Sequence, residues 1–239
     1  MDVDTLLTAG AAHFGLALSE AQLHAFALYY RELVAWNEKI NLTRIIEPDE
    51  VVSKHFLDSL SVVAALPKGN KPLSLIDVGS GAGFPGIPLR IALPDIRVTL
   101  LESTGKKTKF LQHVIDTLAL KSTRVITARA EEAGQHPDHR AKYDVAVARA
   151  VSRLPVLIEY MLPLVKVGGQ IIAQKGQNPA EEIEAARSAL RVLGGQLIKV
   201  EPIAVPSLDG ERHLVIVKKI KPTPKLYPRR PGLPNKEPL

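Results

Sequence analysis

Leu75-Ile76-Asp77-Val78-Gly79-Ser80-Gly81-Ala82-Gly83-Phe84 is the stretch that decides the fold. It reads as the end of a short apolar strand running into a turn with three alternating glycines. Glycine accepts positive φ and lets main-chain amides approach a ligand closely, and the helix expected from Gly86 to Leu93 would offer its positive end. The pattern points to a nucleotide-like ligand where strand passes into helix. It does not name the ligand, because Gly81-Ala82-Gly83-Phe84-Pro85-Gly86 also fits the dinucleotide fingerprint.

Outward from the turn, short apolar runs alternate with helical stretches. Leu73 to Val78, Arg97 to Leu101, Arg124 to Ala128, Asp144 to Ala148 and Gly169 to Gln174 read as strands covered on both faces. Gly86 to Leu93, Lys106 to Leu118 and Leu154 to Val165 read as the helices between them. This alternation predicts an α/β fold with a doubly wound, mostly parallel sheet. A further helix is expected over Ala180 to Leu193. Gln196 to Glu201 and His213 to Lys218 then read as a closing antiparallel pair around the turn-like Pro206 to Gly210. Upstream the pattern is helical: Ser19 and Gln22 have capping-box form, and a second helix opens at Pro48 with Asp49 and Glu50 in its first turn. We therefore expect an N-terminal helical region at 1–70, a ligand-binding core at 71–220 and a tail at 221–239.

Four residues narrow the ligand. Glu102 closes the second strand, where a carboxylate can accept hydrogen bonds from ribose hydroxyls. Pro85 and Pro88 remove amide donors that a pyrophosphate would use, and Asp77 places negative charge near the turn. Both features suit a sulfonium donor better than a dinucleotide.

The 239 residues are 46% hydrophobic and include no cysteine, which removes disulfides, thiolate metal sites and cysteine nucleophiles. No apolar run nears the ~20 residues of a membrane span, and the first residues carry acids where a secretory signal carries bases. A cytosolic protein without membrane contact is expected. From Lys218 to Leu239, seven basic residues face one acid, an excess equal to the whole chain's formal net charge of +6. Six prolines in that stretch predict an extended arm without helix. Such an arm fits phosphate-backbone contact or simple solubilisation equally well.

Ile76-Asp77-Val78-Gly79-Ser80-Gly81-Ala82-Gly83, Leu101-Glu102 and Leu164 to Ile172 together resemble the Rossmann-like, class I S-adenosylmethionine-dependent methyltransferases. Asn37 to Thr43, His55-Phe56-Leu57-Asp58-Ser59, Gly83 to Pro88, Ala148-Arg149-Ala150, Lys175-Gly176-Gln177 and Leu208 to Val215 narrow this further. They are similar to the bacterial ribosomal RNA small subunit methyltransferase G family, also called glucose-inhibited division protein B.

That resemblance implies methyl transfer from S-adenosylmethionine to N7 of a guanosine in 16S ribosomal RNA, with the RNA or the 30S particle as partner and the enzyme a monomer. It implies cofactor contacts at Gly79, Phe84, the Ala130-Glu131 pair and Arg149, which join Gly81, Gly83 and Glu102 expected there from the turn and the strand end themselves. Arg149 and Lys175, at the carboxyl ends of the fourth and fifth expected strands, are candidate catalytic side chains. Arg129, Gln177 and Arg212 are candidate RNA contacts. Guanine N7 has a free lone pair and no proton, so this chemistry needs alignment rather than a general base. A small-molecule methyltransferase would not need the cationic tail, and an RNA-binding or assembly protein without turnover is the rival from another class. His55, Asp58 and Ser59 share a helical face and fit either substrate contact or a cluster joining the helical region to the core. On these readings Arg149→Ala removes transfer and leaves the fold intact.

Overall fold

Seven strands make one sheet in the order β3-β2-β1-β4-β5-β7-β6: β1 (Ser74–Val78), β2 (Arg97–Glu102), β3 (Thr123–Thr127), β4 (Tyr143–Arg149), β5 (Val165–Lys175), β6 (Gly195–Pro202) and β7 (His213–Lys219). The structure is a computed structural model describing residues 3–69, 71–176 and 178–239. Strands β1 to β5 pair in parallel, and β7 runs antiparallel to both β5 and β6. This is the doubly wound α/β architecture with an antiparallel end that the alternation predicts. The chain winds outward from β1 in one direction and from β4 in the other, which opens a crevice at the carboxyl ends of these two neighbours.

Period-two alternation divides the core into two layers. Leu75, Val98, Leu100, Val145, Val147 and Ile216 face the N-terminal helices and the helices Gly86–Ala92 and Gly105–Thr117. Ile76, Val78, Leu101, Ala146, Ile171 and Val217 face Leu154–Met161 and Arg187–Leu193. Each buried Val, Leu or Ile among them contributes ~1.5–3 kcal/mol.

The N-terminal region is fastened to the turn itself. Ser19 and Gln22 form the capping box of helix Glu20–Asn37. Seven residues after Gln22, Tyr29 lies between Phe56 and Phe84, 5.5 Å from each ring centre, and its hydroxyl donates to Ala82 O (2.5 Å).

Three expected helices are interrupted. The one opening at Pro48 passes through a π segment, Val52–Leu57, and ends in a 3-10 turn, Ser61–Ala65. The hydroxyls of Ser59 and Ser61 donate to His55 O (2.5 Å) and Asp58 O (2.6 Å), satisfying carbonyls that the wider turn displaces. The stretch Ala180 to Leu193 bends at fully buried Ala186, which lets Ala180–Ala185 and Arg187–Leu193 both pack on Leu154–Met161. Helix Leu154–Met161 stops short of Val165, because Leu162–Leu164 tightens and Val165 already pairs with Tyr143 in the sheet.

The tail departs from its expected extended form. Leu233–Lys236 is a helical turn, possible because Pro234 sits in the first turn, where its missing amide would lack a partner anyway. The segment also lies against the body. Arg140 donates to the main-chain oxygens of Thr223, Pro224 and Tyr227 at 2.7–3.0 Å, and Arg229 pairs with Glu159 at 2.6 Å.

Candidate active site

A cavity of about 470 Å³ occupies the crevice at the ends of β1, β2 and β4 and is walled by the glycine turn, Glu102, Ala130, Glu131 and Arg149. It has the size of a small-molecule site. Most of the turn's amides are already in use; Ala82 N, which also lines the cavity, is the exception among the described residues. Gly79 N and Ser80 N donate to Leu101 O at 2.8 and 3.1 Å, Gly83 N and Phe84 N to Ser80 O at 2.7 and 3.0 Å. Gly81 N donates to Glu102 Oε2 at 3.0 Å and Gly86 N to Asp77 Oδ2 at 2.9 Å. A pyrophosphate cradle needs free amides aimed inward. This turn shapes a wall without being such a cradle.

Glu102 is buried, with Oε1 accepting from Thr104 N (2.8 Å) and Oε2 from Gly81 N. Each carboxylate oxygen keeps a second lone pair, so the carboxylate is fixed in direction and still able to accept two hydroxyls. Glu131 is held likewise: its Oε1 accepts from Gly232 N (2.9 Å) in the tail. Tyr160 lines the cavity beside it, its hydroxyl pushed up to about 12 by burial and then by the Glu131 carboxylate.

The opposite wall is a cationic cluster. Arg149, at the end of β4, donates to Asp58 Oδ2 (2.7 Å), Lys54 O (3.0 Å) and His55 Nδ1 (3.3 Å), and its guanidinium lies 4.9 Å from the Phe84 ring centre. The His55 ring stacks on Phe84 at 4.5 Å. His55 Nδ1 also lies 3.2 Å from Lys54 O, and Nε2 lies 2.9 Å from Thr43 Oγ1. Burial, then the Arg149 charge, pushes His55 down to about 3 and keeps it neutral. Asp58 joins a second arginine, with Arg212 Nε 3.3 Å from its Oδ1. Ala150, next after Arg149, has φ +54°, a strained conformation for a non-glycine residue at the cavity edge.

Asp77 underlies the turn, fully buried, with Oδ1 lacking a hydrogen-bond partner. Burial pushes its carboxyl up to about 7, against the opposing pull of the Gly86 amide and Arg149. Folded Asp77 thus holds a proton that the unfolded chain releases above 3.8, so its contribution to stability falls as pH rises from there to about 7. His55 acts oppositely: the unfolded chain gains a proton below 6.5 that the folded ring refuses, so stability falls as pH drops toward about 3. Asp77→Asn removes the first slope. The stability difference between variant and wild type should grow by ~1.4 kcal/mol per pH unit between pH ~4 and ~7, measured by urea unfolding. A pH-independent difference would contradict the neutral buried carboxyl.

Most residues singled out in the sequence meet at this cavity: Gly79, Gly81, Phe84, Glu102, Arg129, Ala130, Glu131 and Arg149 line it. Three do not. Gly83 backs onto the helices instead, where a Cβ would meet Ile87 Cδ1 at 2.4 Å and the Tyr29 hydroxyl at 2.8 Å. Lys175 turns to Glu182 (2.7 Å) and Ser152 O (3.0 Å), an ion pair behind the wall rather than a side chain in the cavity. Arg212 reaches Asp58 and not the cavity. Gln177 lies outside the described residues. His55 and Asp58 form the joining cluster, and His55 also lines the cavity. Tyr160 and Asn235 line it without having been singled out, one sitting in an apolar helix and the other in a basic, proline-rich tail.

The strand order, the glycine turn after β1 and the acid ending β2 define a Rossmann-like fold of the class I methyltransferase kind. Solved methyltransferase structures superpose on it at low identity. Precorrin-6y C5,15-methyltransferase from Geobacter metallireducens has a TM-score of 0.52 at 12% identity, over 77% of this chain and 95% of its own. TrmN from Thermus thermophilus has 0.51 at 14%, over 70% and 53%. The chain belongs to the rRNA small subunit methyltransferase G (GidB) family, whose pattern matches residues 22–215. Ribosomal RNA small subunit methyltransferase G of Roseiflexus castenholzii is 50% identical over 229 residues, 96% of this chain and 97% of its own. The protein of the same name from Acetivibrio thermocellus is 49% identical over 234 residues, 98% and 96%.

Proposed function

We propose that the protein transfers a methyl group from S-adenosylmethionine to N7 of a guanosine in small-subunit ribosomal RNA, acting as a cytosolic monomer. Family membership supports the RNA substrate. The observation that carries the donor is the glycine turn, whose amides other than Ala82 N are taken by protein acceptors, beside a Glu102 carboxylate with free lone pairs. That donor set fits ribose hydroxyls and a ligand without phosphates. S-adenosylmethionine supplies a methyl group on a sulfonium, and S-adenosylhomocysteine leaves.

The protein's part is positioning. Glu102 accepts from the ribose, and the carboxylates of Glu102 and Glu131 favour a cation at this end of the sheet. Phe84, held flat between Tyr29, His55 and Arg149, gives the cavity a rigid aromatic wall. His55 stays neutral, and Glu102 and Glu131 are each held by main-chain amides. These groups are set to orient and not to shuttle protons. Attack by guanine N7 fits this, since its in-plane lone pair bears no proton and in-line alignment supplies most of the catalysis. The target base must leave its stack to reach the cavity, and the exposed Arg129 at the rim is placed to meet its phosphates.

Incubation with methyl-labelled donor and purified 30S particles or their RNA tests the reading. Label is expected in the RNA. Label confined to small metabolites, or none transferred at all, would contradict it.

A further inference from the structure

The segment 222–239 is fixed to the body by contacts that a solubilising arm would not require. Glu159 is fully buried in helix Leu154–Met161, and a buried carboxylate is tolerated only with close partners. All of its hydrogen bonds come from Arg229: N and Nε to Oε1 at 2.8 and 2.9 Å, Nε and Nη2 to Oε2 at 3.2 and 2.6 Å. Gln135 Nε2 donates to Pro228 O at 2.8 Å, and Gly134 leaves the space that Pro228 fills, since a Cβ there would lie 2.7 Å from Pro228 Cγ. The docked state is thus written into helices far from it in sequence.

The path after Arg229 leads to the cavity. Gly232, with φ +84°, turns its amide onto Glu131 Oε1. Asn235 then reaches the cavity wall, where its Oδ1 accepts from Ser152 Oγ at 3.0 Å. With the oxygen so engaged, the Nδ2 donors of Asn235 have no acceptor among the described residues. Asn235 is exposed and shares the cavity lining with Ala130, Glu131 and Tyr160, three residues after the Gly232 amide that is bonded to Glu131.

We propose that residues 222–239 form a wall of the donor site: the Asn235 amide donates to the adenosine part of the methyl donor, and the Glu159–Arg229 pair positions Gly232 and Asn235 for that contact. The inference rests on the donor occupying this cavity. The tail is then part of the binding site, and donor affinity depends on a segment whose composition suggests only phosphate contact or solubilisation.

Calorimetric titration of the full chain with S-adenosylhomocysteine tests this. Asn235→Ala is expected to bind about tenfold more weakly, the loss of one hydrogen bond, with an unchanged melting temperature. Asn235→Asp keeps the acceptor for Ser152 and loses the donor, so it should weaken binding at least as much; a merely structural Asn235 would leave the Asp variant at wild-type affinity. Removal of 222–239 should weaken binding further. Wild-type affinity in both Asn235 variants overturns the proposal even if the truncated chain fails to fold. No binding by the wild-type chain would instead overturn the donor-site reading on which it rests.

Discussion

Arg149→Ala is expected to abolish methyl transfer and also to lower the unfolding free energy by ~3–5 kcal/mol. The side chain is only 14% exposed and its partner Asp58 only 7%. Removing one member of such a pair leaves the other charge buried with less compensation, here with Arg212 alone at 3.3 Å. The same change opens the space beside Phe84 and frees His55 Nδ1. The sequence reading made this change silent for the fold. The structure corrects that reading, because Arg149 ties β4 to Lys54, His55 and Asp58 of the N-terminal region. Urea unfolding of the variant, alongside a transfer assay, checks both parts. Wild-type turnover would remove Arg149 from the site, and wild-type stability would remove it from the joint.

Gly83→Ala should be the most damaging single methyl group in the turn. At φ +101° a side chain is strained by ~1–2 kcal/mol, and the Cβ would press on Ile87 and the buried Tyr29 hydroxyl for a further ~1–3 kcal/mol. Gly81→Ala shares the strain at φ +59°, but its Cβ would meet nothing nearer than Gly79 O at 3.9 Å. The first variant should therefore lose ~2–5 kcal/mol of stability. The second should lose ~1–2 kcal/mol and act mainly by placing a methyl group in the cavity proposed for the donor. Equal destabilisation of the two would contradict the assignment of Gly83 to packing and Gly81 to binding.

The two glycines mark where sequence reading succeeds and where it stops. Short apolar runs between helical stretches point to a doubly wound, mostly parallel sheet, because crossovers constrain topology strongly. Glu102 is found by its place at the end of β2. Direction is harder: Lys175 and Arg212 belong to the right edge of the sheet, yet Lys175 turns to Glu182 in the helix that follows and Arg212 to Asp58 in the distant N-terminal region. The tail misleads for a similar reason. Proline content and charge describe its local preferences, whereas its docking depends on Glu159, 70 residues upstream of Arg229. A single acid in the otherwise uncharged helix Leu154–Met161 is the signal that could have found it, since a carboxylate on so apolar a helix needs a cationic partner from elsewhere. The π segment around His55 has no such local mark, because its geometry answers to Arg149 and Phe84.

The central claim is that an unprotonated ring nitrogen receives the methyl group. Small-subunit RNA labelled by the protein can be treated with borohydride and aniline, which break the chain where a guanosine carries a methyl on N7. The account predicts scission at one guanosine, in step with the label incorporated. Fully labelled RNA that stays intact under this treatment would contradict it.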